Sequence, residues 1–206
     1  MNYLLFMSEA KKWQPSYGRV IIVNIKDGYL YIRLQTLKKC CLFLFVLPFF
    51  SQADDEVGVG FSPGGTAQAL ILSFIRTAAG SVDVAAYDFT SVPIAESLSQ
   101  LAQSGVPVRV VADEKKSHDR WSLVNKLACS GILVRTDEQY SIMHNKFIVT
   151  GNNGVQTGSF NYTSSAEKRN AENALIIRGN SFLSQQYQNE FNRLWAESAP
   201  VQCNYS

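Results

Sequence analysis

The sequence predicts an α/β domain: a mixed, mostly parallel sheet with helices packed on both faces. Two observations predict it. Short apolar runs alternate three times with segments whose apolar residues recur at helical spacing. The chain is also 46% apolar and 17% charged over 206 residues, which suits a packed core and excludes a disordered or low-complexity chain.

The elements follow in order. Val57–Phe61 is a short apolar strand, broken by Ser62-Pro63-Gly64-Gly65. Thr66 caps a predicted helix through Ala79, with Ala67, Leu70, Ile71, Phe74, Ile75 and Ala78 on one face. Ser81–Tyr87 reads as a buried strand. Ser91 and Pro93 open a helix that buries Ile94, Ala95, Leu98, Leu101 and Ala102. Val106–Ala112 is a strand, Trp121–Cys129 a helix and Ile132–Arg135 a strand. Lys146–Thr150 and Val155–Thr157 flank Gly151-Asn152-Asn153-Gly154, a hairpin signal. Ala174–Ile177 is the last strand, and a helix from about Asn180 to Glu197 closes the domain.

The first 53 residues differ in character. They carry 7 Lys/Arg against 2 Asp/Glu, whereas residues 54–206 carry 12 against 15, so the larger part is no polycationic nucleic-acid coat. Lys38-Lys39, the uncharged run from Cys40 to Phe50, Ser51-Gln52-Ala53 and then Asp54-Asp55-Glu56 follow the layout of a secretory signal. The run is too short to span a bilayer, which takes about 20 residues. Residues 37–53 are therefore read as a cleaved signal peptide and residues 54–206 as the folded domain. The product is expected to be periplasmic or secreted, with no stable membrane insertion. Residues 1–36, in which Val20 to Leu34 has a hairpin pattern around Lys26-Asp27-Gly28, are read as a start-site artefact or an extension. Cys129 and Cys203 would then meet an oxidising compartment, and whether they lie within reach of each other is left open by sequence.

The chemistry concentrates between Ser141 and Asn173. In an extended segment residues i and i+2 share a side, so His144 and Lys146 present an imidazole and an ammonium together. A cation at the mouth of a buried strand is costly unless an anion lies opposite. A phosphate suits this pair, because Lys146 neutralises it while His144 attacks phosphorus or moves a proton. In Gly158-Ser159-Phe160-Asn161, Ser159 and Asn161 offer neutral groups to phosphate oxygens. Glu172 is placed to accept from one imidazole nitrogen and fix the tautomer. Each piece alone is commonplace, a solvated face, a turn or a surface acid. The three within 14 to 28 residues of His144 are not. Lys115, Lys116, Lys168 and Arg169 are candidate substrate-binding cations. With only two histidines and no C-x-x-C, the chain offers no local structural zinc site.

The segments Met143-His144-Asn145-Lys146-Phe147-Ile148-Val149-Thr150-Gly151, Thr157-Gly158-Ser159-Phe160-Asn161-Tyr162-Thr163 and Asn170-Ala171-Glu172-Asn173-Ala174 resemble the phospholipase D superfamily. The likeness extends from about Val57 to Trp195. It is nearest to the small bacterial periplasmic endonucleases that carry one catalytic motif per chain. The family motif is His-x-Lys, four residues, Asp, then Gly-Ser-x-Asn. Gly151 stands where the family has Asp, a group that supports the site from outside.

The resemblance implies a phospholipase D-like fold and a metal-independent phosphodiesterase without cofactor. One histidine forms a phosphohistidine and a second protonates the leaving oxygen. His118 has no following lysine and reads as a surface residue, so the second imidazole is expected from His144 of another copy in a homodimer. The expected substrate is nucleic acid, DNA or RNA, cleaved without sequence preference. The alternatives are a phospholipase D-type lipid phosphodiesterase and, if Gly151 disables turnover, a non-catalytic nucleic-acid-binding dimer.

Overall fold

The computed structural model describes residues 55–204 throughout and, before them, the backbone of three strands: β1 (Arg19–Lys26), β2 (Tyr29–Thr36) and β3 (Leu47–Pro48). The chain divides into two compact units, residues 1–52 and residues 53–206. In the first, β1 and β2 pair antiparallel from Arg19↔Thr36 to Lys26↔Tyr29, the hairpin that the pattern around Asp27-Gly28 predicts. β3 pairs with β2. The remainder of residues 37–53, the expected signal peptide, lies outside the described residues.

The second unit contains β4 (Glu56–Ser62), α1 (Thr66–Arg76), β5 (Val82–Ala86), α2 (Val92–Gln103), β6 (Val108–Asp113), α3 (Glu114–Ser117), α4 (Val124–Cys129), β7 (Leu133–Asp137), β8 (Lys146–Thr150), β9 (Gly154–Gly158), α5 (Ser164–Lys168), β10 (Glu172–Arg178), α6 (Ser181–Glu197) and β11 (Ala199–Pro200). Its eight strands form one mixed sheet in the order β11-β7-β6-β5-β8-β9-β10-β4. The mixed sheet with helices on both faces is as expected. The balance of directions is not. Only β5–β6 and β6–β7 are parallel, and the other five ladders are antiparallel. The cause is the β8–β9 hairpin, which enters beside β5 and is extended by β10. The first strand, β4, then pairs with β10 at the far edge instead of beside β5.

Alternation along the strands divides the core in two. Val84, Val110 and Ile148 pack with α1, α2 and α4 on one face. Ala85, Val111, Phe147, Val149 and Val155 pack under Phe191 and Leu194 of α6 on the other. On the α6 face the neighbouring residues Asp83 and Arg109 form a two-pronged ion pair, Nε–Oδ1 2.7 Å and Nη2–Oδ2 2.6 Å. Gln188 of α6 adds a third bond to the Asp83 carboxylate at 2.7 Å.

Three local details depart from the sequence reading. Thr66 does not cap α1. Its hydroxyl bonds the backbone of Phe61, donating to O and accepting from N at 2.8 Å each, and so ties the helix start to β4. The helix also ends at Arg76, three residues before Ala79. α4 begins at Val124 rather than Trp121, because Leu123 N–H donates to Phe89 O at 2.9 Å and holds the preceding turn against the end of β5. Cys129 and Cys203 form a disulfide, Cα–Cα 4.8 Å, which fastens the segment after β11 to α4.

Candidate active site

The strand directions place one set of ends together. Residues at the ends of β5, β6 and β9 and at the starts of β8 and β10 share a single edge of the sheet, because Ala86 pairs with Lys146, Asp113 with Asp137, Phe147 with Thr157, and Gly158 with Ala174. An open cleft of about 560 Å³ lies there. Its walls include His144, Asn145, Lys146, Ser159, Asn161 and Glu172, with Tyr187 contributed by α6. Hence all five residues assigned to catalysis from sequence meet in one place.

Lys146 begins β8 and is 9% exposed. Its ammonium donates to the His144 carbonyl oxygen at 2.7 Å and lies 5.3 Å from the centre of the Tyr87 ring. Burial pushes its pKa down, and the Glu172 carboxylate pulls it partly back. A half-desolvated cation held by a carbonyl and a ring, with no carboxylate in contact among the described residues, is a site that gains from an arriving anion.

His144 stands just before β8 with its ring edge-on to Tyr87, centroids 4.5 Å apart. Among the described residues neither ring nitrogen has a protein hydrogen-bond partner, so both are free for chemistry. Desolvation first, and then the Lys146 ammonium, hold its pKa below the ordinary imidazole value, while Asp113 opposes them. The imidazole is thereby kept neutral at pH 7, the form that can attack.

Asp113 is a residue that sequence reasoning did not single out. It is 2% exposed at the end of β6. One carboxylate oxygen accepts from Met143 N–H at 2.8 Å and the other from Lys116 N–H at 2.9 Å. It therefore fixes the segment that carries His144 to the loop that carries the basic residues. Tyr87, at the end of the strand that the sequence predicts over Ser81–Tyr87, is a second residue to which sequence reasoning gave no role. An aromatic residue closing the buried strand Val82–Ala86 was the available signal.

Ser159 and Glu172 form a local network. Ser159 Oγ donates to Glu172 Oε2 at 2.6 Å and accepts from Asn173 N–H at 3.1 Å. Asn170 Nδ2 donates to Glu172 Oε1 at 3.0 Å. The expected Glu172 bond to the imidazole is not made within the chain, where the carboxylate accepts from Ser159 and Asn170 instead. Gly158 makes this close approach possible. It has a φ of 146°, and a side chain there would overlap the Asn173 carbonyl. Asn161 lines the cleft with its Oδ1 buried and unpaired among the described residues, a cost of about 1–3 kcal/mol that is tolerated at a place where ligands bind.

The candidate substrate-binding cations separate. Lys115 donates to Ser141 O at 3.2 Å and Lys116 lies 5.9 Å from the centre of the Tyr87 ring, which touches His144, but neither lysine lines the cleft itself. Lys168 lines a separate hollow with Gln68, Ser91 and Glu167, and Arg169 donates to Ser165. Neither of these two lines the cleft. His118 pairs with Glu114 at 2.7 Å on the surface and does not line it either.

Gly151 sits at the other end of β8, about 16 Å along the strand from Lys146 at roughly 3.3 Å per residue. A side chain here would meet Ser81 N at 2.8 Å and Ala79 O at 3.1 Å. Gly151 N–H donates to Ser81 O at 3.0 Å, and Asn152 Oδ1 accepts from Ala79 N–H at 3.4 Å. The backbone has closed over the position, and nothing is removed from the cleft. Gly151→Asp is expected to cost about 1–3 kcal/mol of stability by steric overlap without raising kcat, read by thermal melting and by single-substrate kinetics.

Residues 71–195 match the family described as cardiolipin synthase, PLD-like domain. The chain belongs to the phospholipase D superfamily. The fold is similar to that of Nuc from Salmonella typhimurium, a phospholipase D family member, with a TM-score of 0.71 and 37% identity over 72% of this chain and 99% of that one. A phospholipase D of Rickettsia felis is 33% identical over 67% of this chain and 69% of its own length. A mitochondrial cardiolipin hydrolase of Xenopus laevis is 34% identical over 61% of this chain, which spans 59% of that relative. With these relatives, the chain is a phosphodiester hydrolase of the superfamily.

Proposed function

We propose that this phosphodiesterase is a metal-independent, sequence-nonspecific endonuclease acting through a phosphohistidine at a site shared by two copies. The observation that carries the reading is the cleft itself. An imidazole held below its ordinary pKa, with neither ring nitrogen hydrogen-bonded among the described residues, stands beside a half-desolvated ammonium in a polar, open cleft, and Lys116 lies over the Tyr87 ring that His144 touches. The His144 ring nitrogen attacks phosphorus, and the P–O bond to the leaving alcohol breaks. Lys146 and Asn161 hold the non-bridging oxygens, and Glu172 keeps Lys146 charged while anchoring Ser159. An imidazolium from His144 of a second copy gives its proton to the leaving oxygen. It then takes one from the water that releases His144, leaving a phosphomonoester and an alcohol.

One chain brings a single imidazole to the cleft, since His118 lies outside it. An exposed apolar stripe supports self-association. Val57, Val59 and Phe61 of edge strand β4 are 62%, 60% and 58% exposed. They point away from α1, toward which Gly58 and Gly60 face. Phe61 pairs with Asn173, next to cleft residue Glu172, so the stripe leads to the site. A two-fold axis beside such a stripe buries it against its own copy and juxtaposes the two clefts. The Cys129–Cys203 disulfide supports a periplasmic or secreted location, with residues 37–53 removed as a signal peptide.

The second reading, a lipid phosphodiesterase, is favoured by the relatives named phospholipase D and cardiolipin hydrolase. A non-catalytic binder is disfavoured by the position of Gly151, remote from the cleft. The deciding assay offers DNA, RNA, phosphatidylcholine and cardiolipin side by side in excess EDTA. Cleavage of nucleic acid is expected, weakening as salt rises. Headgroup release without nucleic-acid cleavage supports the lipid reading, and binding without turnover supports the binder.

A further inference from the structure

Trp121 is 70% exposed, in a turn at the cleft end of the sheet. It is not a helix residue with a free surface by default. The turn is closed by Ser122 N–H to Asp119 O at 2.8 Å and pinned by Leu123 N–H to Phe89 O at 2.9 Å. The Arg120 guanidinium lies 4.7 Å from the centre of the indole ring. Lys115 and Lys116 precede this turn on α3. These reach Ser141 O and the Tyr87 ring, and Tyr87 in turn touches His144. An exposed indole beside a cation, on a backbone-bonded turn at the end of the sheet where the cleft opens, serves neither the core nor the chemistry of bond cleavage. It has what a stacking platform needs: a flat π-face in water and a positive neighbour to attract the adjoining phosphate.

We propose that Trp121, backed by Arg120, stacks an unpaired base of the substrate and so gives the enzyme a preference for single-stranded over duplex nucleic acid. The inference rests on the endonuclease reading. Bases inside a duplex already stack on each other and have no free face to offer. A base splayed from a single strand does, whatever its identity, which fits cleavage without sequence preference. The neighbouring residues in the chain argue against a lipid anchor. His118, Asp119, Arg120 and Ser122 surround Trp121 with polar groups instead of extending an apolar patch.

The test compares wild type, Trp121→Ala and Trp121→Phe on three substrates of one length: a single-stranded oligonucleotide, the duplex of the same sequence and an abasic sugar-phosphate oligomer. Trp121→Ala is expected to raise KM for the single strand by about 5- to 150-fold, the loss associated with one base stack, with kcat changed less than about twofold. KM for the duplex and the abasic oligomer should hold, and Trp121→Phe should recover most of the loss. Unchanged single-strand KM in Trp121→Ala, from a wild type that cleaves that strand, overturns the platform and leaves the endonuclease reading standing. A wild type that cleaves no nucleic acid overturns both. If Trp121→Ala keeps its single-strand KM but no longer binds vesicles of anionic phospholipid, the indole is a membrane anchor and the platform is refuted.

Discussion

Replacing His144 with Ala should lower kcat by about 10⁴- to 10⁶-fold, the range for removing a nucleophile from a site that acts as a unit. The protein should fold unchanged. The side chain is exposed, its ring nitrogens have no hydrogen-bond partner among the described residues, and its one ring contact is the edge of Tyr87. Stability should therefore shift by no more than about 0.5 kcal/mol. The same variant tests the shared site. Mixed in equal amount with wild type and allowed to exchange, it should leave about one quarter of the activity of an all-wild-type sample, because only dimers with two intact subunits turn over. Independent monomers would retain about one half. The pH profile follows from the same imidazole. Its pKa is lowered by burial and by Lys146, so the neutral, attacking form persists to lower pH than in a free histidine. The acid limb should fall below pH 6.5, the ordinary imidazole value, with an alkaline limb set by loss of the proton-donating imidazolium.

The largest stability effect is expected at Asp83. Its side chain is 2% exposed and receives two bonds from Arg109 and one from Gln188. Asp83→Ala leaves the Arg109 guanidinium with only a 3.3 Å bond to Asn192 Oδ1 and its contacts with the rings of Phe191 and Trp195. Breaking a buried pair from one side costs about 3–5 kcal/mol. For a domain of this size that corresponds to a drop in Tm of about 6–20 °C. Asp83→Asn, which keeps one acceptor oxygen, should lose less. The loss should be confined to stability, because Asp83 stands at the strand end opposite the cleft, where Val82 pairs with Thr150.

The candidate site was legible in the sequence because its residues are local. His144 and Lys146 are two residues apart, and Ser159 and Asn161 likewise. The short β8–β9 hairpin brings both pairs to one sheet edge almost without help from the rest of the fold. What depends on distant pairing was not legible. Apolar periodicity assigned β4 correctly as a strand, yet nothing in Val57–Phe61 says that its partner is Leu175 and not Val84, so the sheet was expected to be more parallel than it is. The Asp83–Arg109 pair is hidden for the same reason. Both residues interrupt apolar strands, and only the β5–β6 register shows that the interruptions face each other. Glu172 was placed in the correct cleft but with the wrong bond inside one chain, since Asn170 and Ser159 are nearer competitors for its oxygens. Lys168 and Arg169 follow Asn161 closely in sequence, but α5 carries them to another surface.

The most direct measurement is a rapid quench of the enzyme during turnover, followed by mass mapping of the peptide that holds the substrate's phosphoryl group. An acid-labile adduct on His144, absent from His144→Ala and formed in excess EDTA, is the expected result. Steady turnover with no adduct on any histidine, or with the group attached elsewhere, contradicts the mechanism.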